Sequence, residues 1–119
     1  MSILTSILTV GVALLFFYIM YLETFATTSQ QTSKVFNMSV EELQRPALNV
    51  LFKNQGIYNG LVGAALLYGV FFAQNPKEVV ALFLIYAVLV AIYGAVTSDK
   101  MILVKQGGLP LLALISLFI

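Results

Sequence analysis

The few charged residues of the sequence separate long uncharged, mostly apolar runs. The runs without a charged side chain are residues 1–22, 54–76, 79–98 and 106–119. The first three are each long enough to cross about 30 Å of hydrocarbon as a helix rising about 1.5 Å per residue. The fourth reaches that length only if its helix begins near Met101, which places Lys105 inside the helix. The spacing of the charges therefore predicts four membrane-spanning helices.

Composition supports a membrane environment over water. The 119 residues are 61% hydrophobic and 9% charged, and the mean hydropathy is +0.99. Soluble globular domains are roughly 45–50% apolar and about 25% charged, and a small domain needs many polar residues to cover its surface. Isolated strands leave backbone groups unpaired in lipid, and the runs lack the alternating polarity of a β-barrel. We therefore predict an all-α integral membrane protein, a single four-transmembrane-helix bundle over residues 1–119.

Several classes of chemistry are excluded because the chain has no cysteine and no histidine. Disulfides, thiol catalysis, thiolate or imidazole metal sites and a histidine base all require these residues. We predict no metal site, no cofactor and no catalytic residue. A net charge of +1 gives no argument for a nucleic-acid partner.

The predicted spans cover residues 2–23, 54–74, 79–98 and 101–119, with a long loop at 24–53. The first run lacks the basic n-region and the A-x-A cleavage site of a signal peptide, so we interpret it as an anchor. Within the loop, Ser39 and Glu42 have the spacing of a capping box. A short interfacial helix is predicted to start there, and Pro46 is expected to end or kink it.

The orientation follows from the distribution of basic residues. One side of the predicted topology holds Lys34, Arg45, Lys53, Lys100 and Lys105, and the other holds Lys77. Because loops rich in Lys and Arg stay in the cytoplasm, the 24–53 loop is predicted to be cytoplasmic. Both termini are then outside, and the protein is a multi-pass protein of the inner or plasma membrane.

Polar side chains gather near the predicted cytoplasmic ends of the spans. The candidate ligand-binding residues are Glu23, Asn54, Gln55, Tyr58, Asn59, Tyr93, Lys105 and Gln106. Intramembrane polar groups usually face the bundle interior or a water-filled cavity. Gln55 and Asn59 share one helix face with Gly56 and Gly60, and the glycine spacing predicts close helix packing.

Alternative roles remain open for several of these residues. Tyr58 near a helix end also suits the aromatic belt of a membrane interface. Glu23 and Lys105 are either an ion pair that closes the bundle, two separate interfacial charges, or part of a ligand or proton site. For Gln55 and Asn59, a neighbouring helix and a bound molecule are equally suitable hydrogen-bonding partners.

Four segments together resemble a known family of bacterial membrane proteins. They are Tyr18-x-x-Tyr21-Leu22-Glu23, Asn54-Gln55-Gly56-Ile57-Tyr58-Asn59-Gly60, Ile92-Tyr93-Gly94-Ala95-Val96-Thr97 and Lys105-Gln106-Gly107-Gly108-Leu109-Pro110. In this order and spacing the chain resembles the family called "domain of unknown function 1304" over nearly its whole length. The resemblance implies a small four-helix inner-membrane protein without an assigned activity.

Three functions are compatible with these observations. The first is binding or transport of a small polar molecule or a lipid headgroup in a cytoplasmic-side polar pocket. The second is assembly, in which glycine-rich faces pack against a partner such as a second copy of the chain. The third, which we weigh least, is an enzyme acting on a lipid or isoprenoid with Glu23 as acid or base. A polar cavity reaching Gln55 and Asn59, with room for a ligand, would favour the binding and the enzyme functions, and amides bonded only to backbone would contradict both.

Overall fold

The computed structural model describes all 119 residues, and the chain is helical throughout, with no strand. Its helices are α1 (Ile3–Met20), a π-helical turn (Tyr21–Phe25), α2 (Gln30–Phe36), α3 (Val40–Leu43), α4 (Pro46–Phe71), α5 (Pro76–Thr97) and α6 (Met101–Leu117). The all-α prediction is confirmed.

The four long helices pack in a ring. α1 packs against α4 and α6, and α5 packs against the same two helices. The resulting body measures 44 × 26 × 18 Å. Its core is a single cluster of buried apolar side chains from all four helices: Val12, Ala13, Phe16, Val62, Leu66, Val80, Leu84, Ala87 and Ala113.

Two stretches, Ile3–Phe25 and Pro76–Thr97, are long and apolar enough to cross a membrane by length and composition. They correspond to the first and third predicted spans. α4 is longer, with 26 residues, but asparagine, glutamine and glycine make it less apolar. α6 is apolar but has only 17 residues. The second and fourth spans therefore stay predictions.

The region after α1 is more helical than predicted. α4 begins at Pro46 rather than at residue 54, because proline suits the first turn of a helix, where no backbone donor is needed. The short helix predicted at Ser39 is present as α3, which ends at Leu43. Its capping box is confirmed: Ser39 Oγ accepts from the Glu42 amide at 3.1 Å, and Glu42 Oε1 accepts from the Ser39 amide at 3.3 Å.

The two ends of the bundle have different contents. We call the end that holds both chain termini the terminal end. There Thr5 Oγ1 and Ser116 Oγ lie 2.9 Å apart, so the first and last helices meet beside the two termini. Lys77 lies at this end, with its ammonium 5.5 Å from the ring centre of Phe118. The opposite, loop end contains α2, α3 and the other five basic residues. There Lys105 Nζ donates to the Val35 carbonyl at 3.0 Å.

Candidate functional site

A buried carboxylate lies at the loop end of α1. Glu23 is in the π-helical turn and has no exposed surface. Its Oε2 accepts a hydrogen bond from Gln55 Nε2 at 2.5 Å, and its Oε1 accepts one from Asn59 Nδ2 at 2.6 Å. Both oxygens thus accept from α4 amides, and π-helical turns of this kind occur frequently at functional sites.

Two glycines of α4 allow this contact. A Cβ at Gly56 would overlap Thr24 Oγ1 and lie 3.1 Å from the Cβ of Glu23. A Cβ at Gly60 would overlap the sulfur of Met20. The close packing predicted from the glycine spacing is confirmed, and it brings the Gln55 and Asn59 amides within reach of the carboxylate.

Threonines after the π-helical turn satisfy the carbonyl groups at the end of the first helix. Thr27 Oγ1 donates to the Glu23 carbonyl at 2.6 Å. Thr32 Oγ1, fully buried, lies 3.1 Å from the Leu22 carbonyl and 2.7 Å from the Ala26 carbonyl. Helix C-termini leave carbonyls without intrahelical partners, so the threonine-rich segment holds the turn that carries Glu23.

A cavity of about 440 Å³ lies on the other side of the two amides, between α4, α5 and the start of α6. Its lining residues are Phe36, Met38, Phe52, Gln55, Tyr58, Asn59, Tyr86, Val90, Tyr93, Gly94, Ser98, Ile102 and Gln106. Five of them are aromatic, and none carries a formal charge. Tyr58 and Tyr93 remain 68% and 72% exposed, so the cavity is open on one side.

The Gln55 and Asn59 amides connect this cavity to the buried carboxylate. Each amide group donates one N–H to Glu23, and its carbonyl oxygen has no hydrogen-bond partner in the chain. An amide has both donor and acceptor capacity. Two acceptors therefore remain free at the cavity, with their orientation fixed by the carboxylate behind them.

The structure brings together most of the residues singled out in the sequence. Five line the cavity, namely Gln55, Tyr58, Asn59, Tyr93 and Gln106, and Glu23 lies directly behind the amides. Asn54 is exposed and does not line it. Lys105 bonds to the Val35 carbonyl, so the ion pair considered for Glu23 and Lys105 does not form.

Sequence reasoning missed several lining residues. Phe52 precedes Gln55 by three positions and Asn59 by seven, and Tyr86 precedes Tyr93 by seven, so helical periodicity was a usable signal for both. Nothing in the sequence indicated Phe36 and Met38, which come from α2 and the turn after it. The Phe36 ring packs edge-on against Phe52, with ring centres 5.2 Å apart, and both rings line the cavity.

Comparison with known proteins identifies the family. Residues 10–118 match the family model described as "Protein of unknown function (DUF1304)". The chain is also 62% identical, over 118 residues and 99% of both chains, to "Uncharacterized protein YpaA" of Lactococcus lactis subsp. lactis (strain IL1403). No solved structure matches the chain. The chain belongs to the DUF1304 family, as its four motifs predicted.

Proposed function

Starting from membership of a family without an assigned activity, we propose that the protein is a four-span integral membrane protein that binds a small molecule. The site is the cavity between α4, α5 and α6, and the ligand is a small polar molecule or a lipid headgroup. The loop end faces the cytoplasm, and both termini are outside. The observation that carries the proposal is the cavity joined through two amides to a buried carboxylate.

The dimensions and surface of the bundle suit a bilayer. Its 44 Å length is close to the roughly 40–45 Å thickness of a membrane with its headgroups. Large apolar side chains cover the outward faces of the helices, among them Ile3, Tyr68, Leu89 and Val96. The amides that make α4 less apolar lie at the carboxylate and the cavity, which supports a spanning position for this helix as well.

The cavity suits binding better than it suits a continuous channel. Ligand sites usually have volumes of roughly 300–1,000 Å³ and a few polar groups in an apolar lining, and this cavity meets both criteria. Along α4 and α5, the core residues Leu66 and Leu84 lie between the cavity and the terminal end. The apolar core therefore separates the cavity from the terminal end, and we propose a one-sided binding site.

The assembly alternative has less support because its glycine faces are already used inside the chain. A Cβ at Gly56, Gly60, Gly63 or Gly69 would meet side-chain or backbone atoms of α1, its π-helical turn or α5. Gly108 is the single glycine with nothing within 4 Å of such an atom.

A screen by thermal shift tests the binding proposal, because a ligand that prefers the folded state raises its stability. The purified protein in neutral detergent is screened against a library of small polar molecules and lipid headgroup analogues. Val90→Trp fills the cavity from an exposed helical position, and Leu89→Trp places the same bulk on the adjacent face outside it.

We expect hits with the wild type and with Leu89→Trp, and their loss with Val90→Trp. Stabilisation that survives Val90→Trp contradicts the location of the site. A complete absence of hits with the wild type contradicts the binding function.

A further inference from the structure

We infer that the ligand is an organic ammonium ion that carries N–H groups, bound with its charge beside the two amides and its body against the tyrosines. This inference rests on the proposed binding function and names the chemistry of its ligand. It follows from three features of the site, namely the unpaired carboxyl group, the free amide acceptors and the aromatic lining.

The buried Glu23 carboxyl group has no cationic partner in the chain. Both Glu23 oxygens accept hydrogen bonds, as in an ionised carboxylate, and both donors are neutral amides. Burying a charge is costly unless it is paired with an opposite charge. Lys105, the cation considered as the partner of Glu23, is bonded to the Val35 carbonyl instead, so a bound cation would supply the missing partner.

The two amides next to the carboxylate have free acceptors. Because the Gln55 and Asn59 amides donate to the carboxylate, they present carbonyl oxygens to a ligand. A primary ammonium group has three donors and no acceptor. A carboxylate or phosphate ligand would instead bring a second negative charge near Glu23, and no lysine or arginine lines the cavity to balance it.

The lining suits a cation with an apolar body. Tyr58, Tyr86 and Tyr93 surround the cavity together with Phe36 and Phe52. Aromatic faces attract ammonium ions electrostatically and also pack against apolar groups. The same ammonium chemistry is found in free amines and in the ethanolamine headgroup of lipids, and the experiment distinguishes these two sources.

The experiment measures affinity for a matched series of probes in neutral detergent. The probes are 2-phenylethylamine, its trimethylated ammonium analogue, the neutral 2-phenylethanol and the anionic 3-phenylpropanoate. We expect the amine to bind about tenfold more tightly than the alcohol, since hydrogen bonds to charged groups are among the stronger ones. We also expect the trimethylated ion to bind more weakly than the amine, because it lacks N–H donors.

Two variants with matched controls test the residues. Glu23→Gln removes the buried charge, and Glu41→Gln makes the same change at an exposed carboxylate of α3. Tyr93→Leu removes an exposed ring of the lining, and Tyr68→Leu removes an exposed ring outside it. Glu23→Gln should weaken amine binding about tenfold or more and Tyr93→Leu about threefold, on the scale of charged hydrogen bonds and cation–π contacts. If Glu23→Gln does not fold, the difference in amine affinity between Tyr93→Leu and Tyr68→Leu tests the inference.

The outcomes separate this inference from the proposed function. Equal or tighter binding of the alcohol or the anion overturns the ammonium inference and leaves a binding cavity. Equal affinity for the trimethylated ion overturns the requirement for N–H donors. If no probe binds while the library gives hits that depend on the cavity, the ligand class is wrong and the binding function stands. Displacement of the amine by nanodiscs containing phosphatidylethanolamine, but not by pure phosphatidylcholine, assigns the ammonium group to a lipid headgroup, and no displacement assigns it to a free amine.

Discussion

The contact between α4 and the π-helical turn depends on the absence of a side chain at Gly56, so Gly56→Ala is the most informative single change. The added Cβ would overlap Thr24 Oγ1 and lie 3.1 Å from the Cβ atoms of both Glu23 and Thr24. Rotating the Thr24 side chain would remove the overlap but break its hydrogen bond to the Lys53 carbonyl. The two Cβ atoms are fixed by the backbone, so the turn itself must move away from α4.

The expected size of the effect combines two opposing contributions. Alanine is favoured over glycine in a helix interior by about 1 kcal/mol. Overpacking a closely fitted contact costs about 1–3 kcal/mol. Gly56→Ala should therefore lower the free energy of unfolding by up to about 2 kcal/mol. It should also lengthen the hydrogen bonds from Gln55 and Asn59 to Glu23.

Two other glycines separate packing from helix propensity. At Gly108 nothing lies within 4 Å of the new Cβ, so Gly108→Ala should raise the free energy of unfolding by about 1 kcal/mol. At Gly60 the obstructing atom is the sulfur of Met20, near the end of a flexible side chain. Because Met20 can change rotamer, the free energy of unfolding of Gly60→Ala should lie between those of Gly56→Ala and Gly108→Ala.

The free energies of unfolding are measured by circular dichroism as sodium dodecyl sulfate is added to protein in neutral micelles. We expect Gly108→Ala to be more stable than Gly60→Ala, and Gly60→Ala to be more stable than Gly56→Ala, with about 1–3 kcal/mol between the extremes. A Gly56→Ala protein as stable as Gly108→Ala would refute the close contact at the π-helical turn.

Three further predictions concern buried polar groups and orientation. Thr9 Oγ1 is buried without a hydrogen-bond partner, so Thr9→Val should leave the free energy of unfolding unchanged or raise it. Thr5→Val is the comparison, because it breaks the hydrogen bond to Ser116 in the last helix. It should lower the free energy of unfolding by about 1 kcal/mol. Asn59→Leu deprives the buried carboxylate of one donor and should cost about 1–3 kcal/mol in the same unfolding assay, and an unchanged stability would show that the bond contributes nothing. Because the chain has no cysteine, single cysteines at Ser2 and Lys100 can be labelled on whole cells with an impermeant maleimide. Ser2→Cys should react, and Lys100→Cys should react only after permeabilisation; the opposite pattern would reverse the proposed orientation.

Much of the local structure could be predicted from the sequence because it depends on neighbouring residues. The uncharged runs indicated helices, and all four long helices include most of the predicted ranges. The capping box at Ser39 and Glu42 formed as its spacing indicated. The extension of α4 back to Pro46 was not predicted, because Pro46 was expected to end or kink the preceding short helix, whereas it begins the next one.

The candidate site could be predicted only in part. Gln55, Asn59 and Glu23 were selected because polar side chains in an apolar helix need partners, and they proved to be partners of one another. Lys105 was selected by the same reasoning but bonds to α2 instead, whose helical structure was not expected. Which polar residues meet depends on the direction each helix face points, and a list of polar positions does not contain that information.

The sequence by itself determined that this chain is helical and strongly apolar, because hydropathy and charge spacing are sums over neighbouring residues. Only the tertiary structure decided that Glu23 accepts from amides 32 and 36 positions away and that an uncharged aromatic cavity lies beside them. The physical reason is that these contacts depend on the rotation and relative height of packed helices. Glycines with no room for a side chain, such as Gly56 and Gly60, fix that arrangement.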